Sequence, residues 1–234
     1  AKTVEFSLEA REIKIKVTKI DVPVSVASAF EAERVRKDTM FAEFGGNKTE
    51  CWELVTSGDP ATMEDHKITV IGPDIDDPSF ADADVVRLPL GIVVTVGGKA
   101  MQKDFETVLE RRIHYFTNYI DGAMHVGQRN IAWIRLTKEA FDAGFRLRHF
   151  GEVVYAKMLD EFGKVVDKVS VTLYTKEEDV VRLEKEMVKP IYDKRDDRLA
   201  SLTDESVDQF YTCTLCQSFA PSHVCVVTPE RLGL

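Results

Sequence analysis

The run LGIVVTV at residues 90–96 is apolar at every position except Thr95. Its length and its β-branched residues read as a strand. A strand with no polar side has no face to offer to water, so the run predicts a strand buried on both faces of its sheet. Working outward, KITVIG (67–72) and CWELVTS (51–57) read as further strands, with Cys51 a buried small hydrophobe. MFAEF (40–44) and CWELVTS flank GGNKTE, whose glycines predict a hairpin turn with positive φ. EIKIKVTKI (12–20) alternates apolar and polar residues as a half-buried strand does, and VPVSVASAF continues after Pro23 as an edge strand. The acidic loop DIDDPSFADAD lacks the spacing and closing Glu of a calcium loop and is expected to be solvated.

The second half changes period. Phe105, Leu109, Ile113, Phe116 and Ile120 fall on one helical stripe closed by Gly122. IAWIRL (131–136) predicts a strand, and Thr137 a cap for the brief helix KEAFDA, which ends at Gly144. GEVVYAKMLDEF (151–162) predicts an amphipathic helix and KVSVTLY (168–174) the last strand. Thr175 and Glu178 read as a capping box for a long charged helix running toward Arg198, kinked or broken at Pro190. The expectation is an α+β fold, a mixed sheet with packed helices, over residues 1–200. Residues 201–234 then form a segment with no strand or helix after its cysteines.

The chain has 44% hydrophobic and 30% charged residues, a composition that suits a globular domain with a core. No stretch approaches the apolar length of a membrane span. A net charge of -9 argues against general nucleic-acid binding. Against that acidic background, residues 111–149 hold Arg111, Arg112, Arg129, Arg135, Lys138, Arg146 and Arg148 against Asp121, Glu139 and Asp142. Arginine grips phosphate in a bidentate fork, so this stretch reads either as a scattered solvated surface or as an anion site.

YTCTLCQSFAPSHVC (211–225) places Cys213, Cys216 and Cys225 at C-x2-C-x8-C. The clustered thiols, without an export signal, suit a reducing, cytoplasmic compartment. The spacing leaves open an incomplete iron–sulfur site, a zinc knuckle completed by His223, and unliganded cysteines.

The exact residues add to the spacing. YTCTLCQSFAPSHVCVVTPERLGL, with RDDRLASLTDESVDQFY, GQRNIAWIR, FETVLERRIH, LPLGI, VIGPDID and FGGN upstream, closely resembles the CO-methylating acetyl-CoA synthases. These include the corresponding subunit of the archaeal acetyl-CoA decarbonylase/synthase complex. The resemblance implies that Cys213, Cys216 and Cys225 hold a [4Fe–4S] cubane, that Cys216 also bridges to a nickel, and that Phe219 shields that nickel. It implies a reaction joining a methyl group from a corrinoid iron–sulfur protein, CO from a CO dehydrogenase subunit, and CoA. It implies that residues 1–200 are a middle domain binding CoA or a partner, and that 201–234 open the cluster domain. The family's fourth cubane cysteine and its distal nickel ligands are absent from this sequence, so the chain alone is expected to be metal-free and inactive. CoA is expected to engage some of Arg111, Arg112, Arg129, Arg135, Arg146 and Arg148. Bacterial members carry Trp where this chain has Met124. Trp133, His114 and His125 read as core residues. The competing expectation is a free-standing CoA- or protein-binding domain with a structural zinc knuckle.

Overall fold

The computed structural model describes residues 4–5, 19–20, 35, 37–99, 101, 105–106, 109–110, 113, 123–128 and 131–201. Two short strands, β1 (Val4–Glu5) and β2 (Lys19–Ile20), pair antiparallel with each other. The remaining strands are β3 (Met40–Gly45), β4 (Cys51–Ser57), β5 (Lys67–Ile71), β6 (Val86–Leu88), β7 (Leu90–Gly97), β8 (Ala123–Gln128), β9 (Ile131–Thr137) and β10 (Lys168–Tyr174). They form two 4-stranded sheets rather than one, ordered β4-β7-β10-β5 and β6-β3-β9-β8. Both sheets are mixed. In the first, β7 runs parallel to β4 and antiparallel to β10, while β5 is parallel to β10. In the second, β3 is parallel to β6 and antiparallel to β9, and β8 is antiparallel to β9.

β7 is buried on both faces, as its apolar run predicts. Leu90, Ile92, Val94 and Val96 enter the main core, while Val93 enters a second core with Trp52 and Leu54 of β4. Gly91 carries no side chain because Trp52 occupies the space; a Cβ there would lie 2.5 Å from the indole ring. The main core also takes Ala42 and Phe44 from β3, Ile134 and Leu136 from β9, and Val169, Val171 and Leu173 from β10. It therefore joins the two sheets.

β3 and β4 do not form the expected hairpin. Gly45 and Gly46 have φ of 70° and 81°, as their sequence predicts, but they carry the chain from one sheet to the other. The reason is close approach of a third strand. The Gly46 N–H donates to the Ala132 carbonyl at 3.0 Å, and a Cβ on Gly45 would lie 1.9 Å from that oxygen. Sheet pairing is thus directed to β9 instead of β4.

Helix α1 (Lys138–Asp142) is capped by Thr137, whose Oγ1 accepts from Ala140 N–H at 3.2 Å, and Gly144 follows with φ 100°. Helix α2 (Leu147–Phe162) begins earlier than its apolar pattern predicts. Its cap comes from outside the helix. The Asp74 carboxylate accepts from Leu147 N–H at 2.9 and 3.1 Å and from Ile75 N–H at 2.7 Å. His149 Nδ1 accepts the Arg146 N–H at 2.8 Å, satisfying another orphan donor. The acidic loop is therefore not simply solvated: burial raises the Asp74 pKa, against the backbone donors that hold its carboxylate charged. α2 lies over β10 and β5, with Phe150, Val153, Val154 and Met158 in the main core.

The opposite face of the first sheet is covered by α3 (Glu177–Leu183), a π-helical turn (Glu184–Val188) and α4 (Lys189–Ala200). Trp52 Nε1 donates to the Val180 carbonyl at 2.8 Å and fixes α3. The Thr175–Glu178 capping box does not form. Lys176 stands at the N-cap, and the Thr175 hydroxyl donates instead to Pro73 O at 2.7 Å. Nor does Pro190 break the helix. Proline lacks an N–H and its ring excludes the carbonyl four residues back. The chain accommodates it with the wider turn, in which Lys189 N–H donates to Glu184 O. Glu106, Leu109, Glu110 and Ile113 are helical, with Leu109 and Ile113 fully buried, in keeping with the stripe read from the sequence. The predicted strand over 12–20 falls outside the described residues except for Lys19 and Ile20, and VPVSVASAF lies outside them entirely.

Replacing Asp74 by Ala should lower the unfolding free energy by about 1–2 kcal/mol, the usual cost of losing a helix cap. Asp77, whose carboxylate serves its own turn at Ser79, is the control. Urea unfolding of the Asp77→Ala protein should show a much smaller shift of midpoint.

Candidate functional site

The outward face of the second sheet carries a charged row. Strand register puts Arg87 opposite Glu43, Glu43 opposite Arg135, and Arg135 opposite Met124, one position from each of β6, β3, β9 and β8. Neighbouring positions Ala42, Phe44, Ile134 and Leu136 are buried in the core, so the alternation of each strand turns Glu43 and Arg135 to the other face. Glu43 Oε2 accepts from Arg87 Nε at 3.4 Å, and Oε1 accepts from Arg135 Nε and Nη2 at 3.4 Å each. Trp133 Nε1 donates to the same Oε1 at 2.8 Å. The carboxylate is 5% exposed while the guanidinium side chains of Arg135 and Arg87 are 22% and 40% exposed.

One acid thus holds two arginines at the surface and leaves the row with a positive excess. Arg135 also stacks on Trp133, its Cζ 4.0 Å from the ring centroid. The indole is half-buried on this face rather than in the core, contrary to its sequence reading. With its N–H on Glu43 and the guanidinium over its ring, Trp133 organises the cation more than it offers a free stacking surface.

The other described arginines do not join this row. Arg146 is spent on structure: Nε lies 2.8 Å from Asp76 Oδ2, Nη1 donates to Phe141 and Phe145 carbonyls at 3.1 and 2.6 Å, and Cζ sits 4.2 Å over the Phe141 ring. Those contacts occupy its Nε and Nη1. Arg148 is exposed in the first turn of α2. Arg111, Arg112 and Arg129 lie outside the described residues, as does His114. Backbone register places His125 opposite Ile134. The sequence reading missed Glu43 and Arg87. The available signal was a lone charge inside each apolar run, MFAEF and VVRLPLGI.

A second polar cluster is buried between β4 and α4. Glu110 Oε2 accepts from Val55 N–H at 2.8 Å and pairs with Arg195 Nη1 at 3.2 Å, while its Oε1 accepts from the Tyr192 hydroxyl at 3.0 Å. Arg195 Nη2 donates to Val55 O at 2.6 Å, and the Tyr192 hydroxyl also meets the Glu53 carbonyl. Burial pushes the Glu110 carboxyl up to about 7, outweighing Arg195 and the two hydrogen-bond donors, with the nearby Glu53 adding to the rise. Burial likewise raises the Tyr192 phenol. At the other end of the sheet, His66 (φ 56°) stacks on Tyr155 at 3.9 Å and joins Glu152 at 2.6 Å, tying the turn before β5 to α2.

Cys213, Cys216, Cys225, His223 and Phe219 lie outside the described residues. Among the described residues no group of three or more His, Cys, Asp or Glu side chains gathers as a metal site. Cys51 is buried as expected, its Sγ 3.4 Å from both Gly46 O and Ala132 N. No helix among the described residues is long and apolar enough to cross a membrane.

The described body is thus an α+β fold with an arginine row on one sheet face, and the sequence that follows it carries Cys213, Cys216 and Cys225. The chain belongs to the family described as CO dehydrogenase/acetyl-CoA synthase complex beta subunit, whose model matches residues 22–180. A second family model, for the C-terminal part of the ACS/CODH beta subunit, matches residues 192–234. The family resemblance read from the cysteine segment is thereby borne out. The chain is 50% identical over 233 residues to the carbon monoxide dehydrogenase/acetyl-CoA synthase subunit alpha of Moorella thermoacetica, covering 100% of this chain and 31% of that protein. It is 44% identical over 231 residues to acetyl-CoA decarbonylase/synthase complex subunit beta 1 of Methanocaldococcus jannaschii, covering 99% and 30%. With the beta subunit of Methanopyrus kandleri it shares 44% identity over 214 residues, covering 92% and 45%. The chain therefore spans about a third to a half of the length of these relatives.

Glu43→Ala should destabilise the fold by about 2 kcal/mol, because two guanidiniums and an indole N–H lose their shared acceptor. Glu43→Gln keeps an acceptor for Trp133 and should cost less. Chemical denaturation checks the order, and tryptophan emission supplies a local reading, since Trp52 is fully buried and Trp133 is not.

Proposed function

We propose that this chain supplies a CoA-binding surface and three cluster thiolates to an acetyl-CoA synthase. The observation that carries the first part is the row Arg87–Glu43–Arg135, which ends in register at Met124. CoA presents a 3′-phosphate and a pyrophosphate, and arginine forks match both in charge and geometry. Glu43 fixes the two guanidiniums in place, so less side-chain entropy is lost when phosphate arrives. Met124 stands in register with Arg135, and the family resemblance implies Trp at this position in bacterial members. The described arginines that best fit this role are Arg135 and Arg87, with Arg148 exposed nearby in sequence; Arg111, Arg112, Arg129 and Arg146 remain proposed contributors.

Cys213, Cys216 and Cys225 suit an iron–sulfur cubane, since three thiolates with a Cys-x2-Cys turn are the donors such clusters take. When bound, the cluster and its nickel supply the carbon–carbon bond-forming chemistry. The chain's own part is to present those sulfurs and Phe219 beside them. The division we propose is a CoA-handling unit over residues 1–200 and the opening of the cluster unit over 201–234. A CO dehydrogenase subunit and a corrinoid iron–sulfur protein are the proposed partners, in keeping with relatives named as subunits of CO dehydrogenase/acetyl-CoA synthase complexes. Clustered, reduced cysteines favour a cytoplasmic location. Family membership favours this reading over a free-standing zinc module.

Exposed arginine–phosphate pairs are screened over about 10 Å in 0.1 M salt, so CoA affinity should be modest and fall with ionic strength. Titration calorimetry should show dephospho-CoA binding more weakly than CoA. Arg135→Ala and Arg87→Ala should each weaken CoA by about 3–10-fold, in line with the loss of one charge-assisted bond. Met124→Trp should tighten it by adding a stacking ring. Equal affinity for both coenzymes, unchanged in the two alanine variants, would rule the row out as a CoA site.

A further inference from the structure

Helix α4 lies where the two family-matched regions meet. The C-terminal match begins at Tyr192, inside α4, yet Tyr192 and Arg195 are rooted in the body of the middle fold. Both helices reach one apolar core, which takes Val180 of α3 and the Tyr192 ring of α4, but α4 adds a set of buried polar contacts through the Tyr192 hydroxyl and Arg195. α3 is held by apolar contact, with Val180 and Leu183 packed on Trp52, Leu54 and Val93. Past Ile191, Tyr192 of α4 is buried and Arg195 half-buried, while Asp193, Lys194, Asp196 and Asp197 are exposed. Between the two roots lies the π-helical turn Glu184–Val188, a wider and less regular stretch than α-helix on either side.

We propose that Glu110, Tyr192 and Arg195 form a releasable joint. Docked, it fixes α4 and so the direction in which the chain leaves toward Cys213. Released, α4 pivots at the π-helical turn while α3 stays on the sheet. Tyr192 and Arg195 are then positioning residues for the cysteine-bearing segment. The joint stands on the geometry of described residues; only its consequence for a metal cluster rests on reading the three cysteines as ligands.

The joint is polar, buried and proton-linked. Among the described residues the charged or titratable groups facing Glu110 are Arg195 and Tyr192 from α4 and Glu53 from β4. On its own helix, Glu106 is engaged by the Ser57 hydroxyl. Docking holds Glu110 away from water and favours its neutral form; release rehydrates it and restores an ordinary carboxylate. The docked state therefore binds the extra proton, and docking weakens as pH rises through about 7. Between pH 6 and pH 8 this linkage corresponds to an increase of about tenfold in the opening constant.

Hydrogen exchange of the full chain, corrected for intrinsic rates, tests the joint without any metal. The expected result is that amides of residues 193–200 exchange about tenfold faster relative to those of α2 at pH 8 than at pH 6, with 177–183 following α2. Glu110→Gln should abolish that difference. Tyr192→Phe, which removes one hydroxyl, should speed exchange in 193–200 at both pH values and leave α2 unchanged; it also serves if the glutamine variant does not fold. Exchange in 193–200 that tracks α2 at both pH values in the parent and Tyr192→Phe proteins would mean that α4 opens only on global unfolding, and the proposal falls. A cluster reconstituted or not leaves this outcome untouched, so failure of the cluster assignment would be seen separately, by iron and sulfide analysis.

Discussion

The double burial of β7 is the constraint to which the rest of the fold answers. A strand with Ile92, Val94 and Val96 on one side and Val93 and a tryptophan-covered Gly91 on the other must be central and covered twice. Fully burying each such side chain contributes roughly 1.5–3 kcal/mol, so neither face is left bare without large loss. One face is closed by the second sheet together with α2, and the other by α3 and its continuation. Trp52 is the reciprocal element. It fills the space above Gly91 and spends its N–H on Val180, which sets the height at which α3 can lie.

On this apolar frame, acids act as organisers. Asp74 caps a helix from a neighbouring loop, Glu43 gathers two arginines and an indole, and Glu110 gathers a backbone N–H, a phenol and a guanidinium. A buried carboxylate without partners is costly, so each can persist only where donors converge on it. The three differ in what their partners expose. Asp74 is matched by backbone and disappears into structure. Glu43 holds cations that still face water, and theirs is the surface we propose for anions. Glu110 is enclosed between the first sheet and α4, and desolvation outweighs its donors. The same chemistry thus underlies a cap, the proposed binding face and the proposed joint, depending on solvent access.

The strands of the first sheet were legible because their signals are local. KVSVTLY, CWELVTS and LGIVVTV announce themselves by β-branched content, and the observed bounds fall on or within a residue of them. What sequence did not convey was pairing. GGNKTE has the chemistry of a hairpin, and its glycines adopt positive φ, but the partner of β3 is chosen by Ala132, far along the chain. VRL and AMHVGQ are too short or too mixed to show a period, so β6 and β8 arise from pairing rather than from their own residues. The candidate site was half legible. Arginine enrichment drew attention to the strand that carries Arg135, but count alone could not tell the setting of Arg135 from that of Arg146, because only tertiary contact assigns Asp76 to one and Glu43 to the other. Thr175 shows the same limit: a capping sequence lost its hydroxyl to a loop carbonyl at Pro73.

The connection from β3 to β4 links the arginine row to the joint, and its rigidity decides where motion can reside. Glu43 and Glu53 lie on strands joined through Gly45 and Gly46, where the Ala132 carbonyl occupies the place of a Cβ. Trp133 closes over Gly46 from the same side, within 2.9 Å of where a Cβ would stand. Such a connection has one packing, because backbone and indole are already in contact and interiors are not continuously deformable. The relative placement of the row and the floor of the joint, Glu53 and Val55, is therefore fixed by the sheets. Whatever changes between docked and released forms must lie above that floor, in α4 and the π-helical turn that precedes it. The proposed anion-binding face and the proposed movement of α4 would then be two properties of one frame. The first rests on glycine-mediated close packing, and the second on a helix held through Tyr192 and Arg195 by buried polar contacts beside the apolar core.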